Sequence, residues 1–306
     1  MLSSLDSVWA QTRRPSTSCL MVLRGSSVVF ERNPDLAVMP ASTMKLLTAT
    51  AVLQHLRAGD RLRTRVLATS APNDGVVDGD LVLVGGGDPV LGTVDWAAHF
   101  ERQPRLFTPI EVLADRIVAA GIREVRGRVI GDDGRYDRQR YVRSWPQRYL
   151  DDNETGPLSA LSVNDGFAVW NGPDPQDIPW DDPPRDAAAV LTTLLRARGV
   201  TVAGEPAAGS APATDPEVAS IDSPTIGQLV TAMLEDSDNG TAELLLKELG
   251  LRVKGNGSDT IRIGTSVSTA TTGYVEAGGL GSAISLVCVA SGVWAAVYGI
   301  GSWTVV

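Results

Sequence analysis

Two apolar runs, 19–23 and 28–30, flank Gly25-Ser26-Ser27, which predicts two strands joined as a hairpin. Asn33-Pro34-Asp35 reads as a turn. Pro40-Ala41 then leads into a helix starting near Ser42, with Met44, Leu47, Ala51 and Leu56 as its buried stripe and Gly59-Asp60 as its end. Short strands are expected over 63–69, 80–84, 125–130 and 167–170. Helical spacing runs over 109–121, 187–198, 226–234 and 241–249, with Gly121 and Gly199 behind the first two. The run Gly85-Gly86-Gly87-Asp88-Pro89 ends one strand, residues 145–184 read as irregular connections, and 203–225, rich in Gly, Pro, Ala, Ser and Asp, reads as a loop or linker. No internal repeat is evident.

The pattern changes near the end. Between Asn256 and Val306 the only charged residues are Asp259, Arg262 and Glu276, and from Ala277 onward there are none. That length would satisfy a membrane span, but its Gly and Ser content fits a buried or irregular tail better.

Composition narrows the function. The 306 residues are 43% apolar and 21% charged, which is globular, and 27 basic against 36 acidic residues leave a net charge of −9. Such a chain repels phosphate backbones, so nucleic acid is excluded as a partner. Cys19 and Cys288 make neither a disulfide framework nor a zinc knuckle, and His55 and His99 are not spaced as metal ligands. Met1 to Arg14 has no apolar segment of signal-peptide length. Either the chain is cytoplasmic as written or its first residue is not the natural start.

Lysine is scarce: 24 Arg stand against Lys45, Lys247 and Lys254. Coding bias explains the ratio, yet it draws attention to each Lys, because a desolvated Lys can lose its proton and Arg cannot. Ser42-Thr43-Met44-Lys45 is Ser-x-x-Lys at a helix start. A spacing of three puts both side chains on one face, where an uncharged Lys45 could accept the Ser42 proton and make its hydroxyl a nucleophile. On these four residues alone, a capping Ser42 and a solvated Lys45 is the plainer reading. Ser237-Asp238-Asn239 lies between two helical segments. A Ser hydroxyl there can relay a proton, and an Asn amide can hold a carbonyl and an amine. Ser-x-x-Lys followed by Ser-Asp-Asn, in this order, is the pairing found in penicillin-binding proteins and class A β-lactamases.

The segment 40–49, Pro-Ala-Ser-Thr-Met-Lys-Leu-Leu-Thr-Ala, resembles the nucleophile segment of the D-alanyl-D-alanine carboxypeptidase/endopeptidase family, the class C low-molecular-mass penicillin-binding proteins. Residues 79–89 and 158–165 resemble stretches of the insertion this family carries, and 237–243 resembles its second motif. The likeness runs from about Leu20 to Gly250. It implies a mixed α/β (α+β) fold, a penicillin-binding-protein/β-lactamase-like transpeptidase domain with mostly β insertion domains between the first and second motifs. On that basis 1–66 is the first part of the transpeptidase-like domain and 67–222 the insertion. Residues 223–255 return to that domain, and 256–306 form an atypical tail.

The resemblance implies a serine hydrolase cleaving D-Ala-D-Ala peptides of peptidoglycan, with Ser42, Lys45, Ser237 and Asn239 as its catalytic residues. It implies β-lactams as covalent inhibitors, no metal or other cofactor, and an extracytoplasmic location that the missing signal peptide contradicts. Membrane contact is left open. Relatives also place an acidic residue and an aromatic beside the peptide side chain, and Asp132 and Tyr136 match those positions; read by themselves they are an exposed turn. Ser162-Val163-Asn164 is a decoy for the second motif, and the Gly85–Gly87 run is no phosphate cradle, since no Lys-Ser/Thr follows it.

One element departs from the family. Its third motif, Lys-Thr-Gly on an edge strand, should come roughly a hundred residues after the second, but only 67 residues follow Asn239 and none reads so. Lys254-Gly255-Asn256 comes too early to replace it. The loss of charge at the same place suggests a truncation or a disrupted frame. Impaired activity is expected, or else a non-catalytic descendant that binds peptidoglycan or a partner.

Overall fold

The computed structural model describes residues 18–143, 145–170, 178–212 and 215–253, together with the strands named below between 260 and 305; after residue 250 it describes backbone only. Lys254-Gly255-Asn256 lies outside the described residues. The chain divides into two compact units, Met1–Met44 and Lys45–Val306.

In the first unit, Leu20–Arg24 and Ser27–Arg32 form the expected antiparallel hairpin, with Gly25 at φ 61° in the turn. Ala41–Met44 is a single 3₁₀ turn that contains Ser42. Ala41 has φ 47°, a left-handed conformation outside any right-handed helix, and the Thr43 N–H bonds the Pro40 carbonyl three residues back. The α-helix therefore begins at Lys45 rather than near Ser42.

Helix Lys45–His55, in the second unit, buries a different face from the expected one. Lys45, Ala49, Val52 and Leu56 point inward, whereas Leu47 is 63% exposed. Spacings of four, three and four make this as regular a helical stripe as the one through Leu47. It packs with Ile226, Leu229, Val230 and Met233 of helix Ile226–Asp236, and with Ala242 and Leu245 of helix Asn239–Val253. The lysine on that stripe is carried inward with its neighbours.

Between these helices lies a five-stranded sheet in the order Ala207–Ala208, Val129–Asp132, Leu81–Val84, Arg61–Ala68, Glu217–Thr225. The first three strands are parallel, and Arg61–Ala68 is antiparallel to both neighbours. Parallel neighbours need a crossover, supplied by helices Ile110–Ala119 and Pro183–Ala197. Their Leu113, Ile117, Leu191 and Leu195 share a core with Val66, Leu81, Leu83 and Val129.

Several expectations change here. Glu217–Thr225 lies in what reads as a linker, yet it is a nine-residue strand with Ala219, Ile221 and Ser223 buried. Pro224, which favours a linker reading, stands at the sheet edge, where the missing N–H is tolerated. Helix Pro183–Ala197 starts earlier than residue 187, because prolines at its first two positions remove only N–H groups that lack helical partners. The strand expected over 125–130 is two, Glu124–Val125 and Val129–Asp132, in different sheets.

The Gly85–Gly87 run does more than end a strand. A Cβ on Gly85 would fall 2.3 Å from the Ala160 carbonyl oxygen, one on Gly86 2.3 Å from that of Arg63, and one on Gly87, at φ +82°, 2.1 Å from the Tyr136 hydroxyl. Three pieces of chain press on this segment, and only glycine leaves room.

The described residues of the uncharged end are strands. Ala283–Ala290 and Val293–Ile300 pair antiparallel in a four-stranded sheet with Thr260–Ile263 and Ser266–Val267, and Val275–Ala277 pairs with Trp303–Val305. Among the described residues no helix is long and apolar enough to cross a membrane.

Two buried carboxylates join the sheet region to its surroundings. Glu248, on helix Asn239–Val253, is fully buried; it accepts from Arg135 Nε at 2.9 Å and Nη2 at 2.7 Å, and from the Tyr136 hydroxyl at 3.0 Å. Breaking a buried pair leaves one charge uncompensated, so Glu248→Leu is expected to lower the unfolding free energy by on the order of 3 kcal/mol in urea titration, against roughly 1–2 for Tyr136→Phe. Equal small losses below about 0.5 kcal/mol would contradict this anchoring.

Asp88 is 4% exposed and accepts from the Val90 amide at 3.0 Å. Burial pushes its carboxyl up from 3.8 to about 6, against the lowering effect of Thr108 and Val90. Its favourable contribution is complete below the unfolded value and is lost as pH rises through the folded one. Relative to Asp88→Asn, the native chain should lose about 2–3 kcal/mol of stability between about pH 4 and pH 7. A constant difference between the two proteins over that range would show the opposite.

Candidate active site

Lys45 is the first residue of its helix and 8% exposed. Its Nζ donates to Asn239 Oδ1 at 2.5 Å, across 194 residues of sequence. The other end of the amide is oriented as well: Asn239 Nδ2 donates to the Glu154 carbonyl at 3.0 Å and to its Oε2 at 3.4 Å. With the donor end turned to Glu154, the acceptor end faces the amine. Glu154 lies just beyond helix Arg148–Asp151, in a stretch that reads as irregular and offers no sequence signal for this role.

Asn239 is held by the turn that carries it. Helix Ile226–Asp236 opens with a capping box between Thr225 and Gln228 and closes at Ser237, which is left-handed at φ 56°. The Ser237 and Asp238 N–H groups both bond the Met233 carbonyl. Asp238 then caps the next helix, its Oδ1 accepting from the Thr241 N–H at 2.9 Å. Ser237, Asp238 and Asn239 are thus the end of one helix, the cap of the next and its first residue. One turn on, Glu243 is largely enclosed; burial raises its carboxyl above the usual range, opposed by Lys247 and Lys45.

Ser42 is an exposed residue of the 3₁₀ turn Ala41–Met44, in the first compact unit. Asp132 and Tyr136 do not form an exposed turn; both are buried and bonded internally. Asp132 Oδ1 accepts from the Gly134 N–H and Oδ2 from the Ala211 N–H, each at 2.8 Å, while the Tyr136 hydroxyl faces Glu248. Burial, then the nearby Glu248 charge, raises the Tyr136 phenol well above its usual range, so it stays a donor. In the decoy, Asn164 is buried scaffold, its Oδ1 accepting from the Thr93 N–H at 2.8 Å.

What this side of the arrangement can do chemically is hold an amine in a fixed place and orientation. A buried Lys held by an amide oxygen can exchange a proton with a neighbouring hydroxyl or leaving group.

Known proteins resemble the chain along most of its length. A D-alanyl-D-alanine carboxypeptidase of Actinomadura sp. (strain R39) is 28% identical over 75% of this chain and 53% of its own length. A carboxypeptidase of Mycobacterium tuberculosis is 27% identical over 82% and 51%. Carboxypeptidase DacB of Mycolicibacterium smegmatis is 29% identical over 72% and 45%. The chain spans about half the length of the curated relatives it matches. Penicillin binding protein 4 (dacB) from Haemophilus influenzae shares the mixed α/β fold at a TM-score of 0.60 and 16% identity, over 75% of this chain and 61% of that one. The sequence profile of the D-Ala-D-Ala carboxypeptidase 3 (S13) family matches residues 2–175 and 168–272, and the chain belongs to that family.

Proposed function

We propose that the chain is a serine-type D-Ala-D-Ala carboxypeptidase or endopeptidase that acts on peptidoglycan stem peptides through an acyl-enzyme on Ser42. The observation that carries this reading is the 2.5 Å hydrogen bond from Lys45 Nζ to Asn239 Oδ1, which ties the first motif to the second. Family membership supports the reaction class. Peptidoglycan lies outside the cytoplasmic membrane, so an extracytoplasmic place of action goes with it.

In the reaction, Lys45 takes the Ser42 proton as Ser42 Oγ bonds to the carbonyl carbon of the penultimate D-Ala. Backbone N–H groups, that of Ser42 among them, receive the charge that builds on the carbonyl oxygen. The C–N bond then breaks, and the departing amine receives a proton through the Ser237 hydroxyl. Water attacks the resulting ester, gives a proton back to Ser42 and releases the shortened peptide. Asn239 Nδ2 is held by the Glu154 carbonyl at 3.0 Å, and its longer 3.4 Å bond to Glu154 Oε2 is the one a substrate carbonyl would replace. A β-lactam would acylate Ser42 in the same way; the solved structure of a Haemophilus influenzae penicillin binding protein 4 complexed with a β-lactam supports that partner class at the level of fold. Asp132 and Tyr136 serve this site as supports for the insertion, not as direct contacts to peptide.

No Lys-Thr-Gly stands between Asn239 and Val306, so within these 306 residues no such motif supplies a cation for the substrate carboxylate. The reading therefore separates acylation from turnover. A fluorescent penicillin should label the chain, Ser42→Ala should abolish the label, and Lys45→Ala should slow it by about 10²–10⁴-fold. Label that persists in Ser42→Ala, or no label on folded protein, would overturn the reading; the second result would favour a non-catalytic, peptidoglycan-binding descendant. Release of D-Ala from a pentapeptide by this chain should fall at least about 10²-fold below that of a relative carrying the third motif. Equal turnover would show that the third motif is dispensable.

A further inference from the structure

Ser237 is held in a conformation that a residue with a Cβ adopts at a cost of about 1–2 kcal/mol. The turn's own bonds to the Met233 carbonyl favour it, and contacts from outside the turn add to them. The residues flanking it are acidic, Glu235, Asp236 and Asp238, and each faces an arginine from the segment after helix Val94–Ala98. Arg102 reaches Glu235 at 2.9 Å and Asp236 at 3.1 Å. Arg105 bonds Asp236 through one terminal nitrogen, and its other terminal nitrogen lies 3.9 Å from Asp238. Its guanidinium therefore spans Ser237, with one arm on the residue before and one on the residue after.

The two arginines differ in setting. Arg102 is 62% exposed, so its pairs are screened and weak. Arg105 is 13% exposed and lies over the Phe100 ring at 4.1 Å, and that ring packs edge-on against Trp96 at 5.0 Å. Its backbone N–H bonds Gln103, whose side chain ties back to the Ala97 and Phe100 carbonyls. The guanidinium is thus fixed before it meets the turn. A planar fork on an aromatic face cannot be replaced by a point charge on a flexible stem.

We infer that Arg105 is a positioning residue that sets the conformation of the Ser237-Asp238-Asn239 turn, acting from the inserted region on a motif more than a hundred residues away. The inference rests on the hydrolase reading only for its kinetic consequence; the clamp itself is a property of the turn. Two readouts keep the parts separate.

The first is amide hydrogen exchange of the Asp238 and Thr241 N–H groups in native protein, Arg105→Lys and Asp236→Asn. Both variants should lose about tenfold or more of the protection at these amides while helix Pro183–Ala197 keeps its own. Unchanged protection in the turn, or an equal loss throughout both segments, overturns the clamp. The second is the rate of Ser42 labelling by a fluorescent penicillin, expected to fall about 10–100-fold in Arg105→Lys, as for a small misplacement of a reacting group. Labelling of that variant at the native rate overturns the positioning role. Absence of label on native protein overturns the hydrolase reading instead, and the exchange measurement still decides the clamp.

Discussion

A buried amine needs a partner, and the placement of Lys45 sets much of the architecture around it. Moving an ammonium or amine out of water is unfavourable by several kcal/mol unless a hydrogen bond replaces the lost hydration. The Asn239 amide oxygen supplies that bond, so the first residue of one helix must meet the first residue of another, with the whole inserted region between them in sequence. The apolar cluster beneath brings the helices together without direction; the polar contact fixes how they are registered.

Residues that lie between these helices in sequence are a working part of this arrangement. Glu154 orients the Asn239 amide, Arg135 and Tyr136 receive the buried Glu248, and Asp137 pairs with Lys247 on the same helix. Arg102 and Arg105 grip the turn before that helix. All these contacts fall on residues 235–253, so the second motif is assembled largely by side chains from elsewhere in the chain. The close approaches at Gly85 and Gly87 are to the segment at Ala160 and to Tyr136, and the one at Gly86 is to Arg63.

Much of this was legible in the sequence, for identifiable reasons. The hairpin, the strands at 61–68 and 81–84, and the helices at 110–119, 226–236 and 239–253 follow from periodicity and turn chemistry, which act locally. The nine-residue strand at 217–225 was not legible, because its Pro, Asp and Ser content suits a loop and only pairing with Arg61–Ala68 makes it a strand. The inward face of helix Lys45–His55 was misread because two helical stripes were available and tertiary packing chose between them. Ser42, Lys45, Ser237 and Asn239 could be singled out by motif. Glu154 and Arg105 could not, since one acts partly through a backbone carbonyl and the other through a fold-dependent meeting of distant segments.

The central claim, that Lys45 and Asn239 are energetically joined, is tested most directly by a double-mutant cycle on unfolding free energy with Lys45→Met and Asn239→Leu. The account predicts a coupling of about 1–3 kcal/mol, the double variant being less destabilised than the two single losses added together. Additive losses, within about 0.3 kcal/mol, would contradict it.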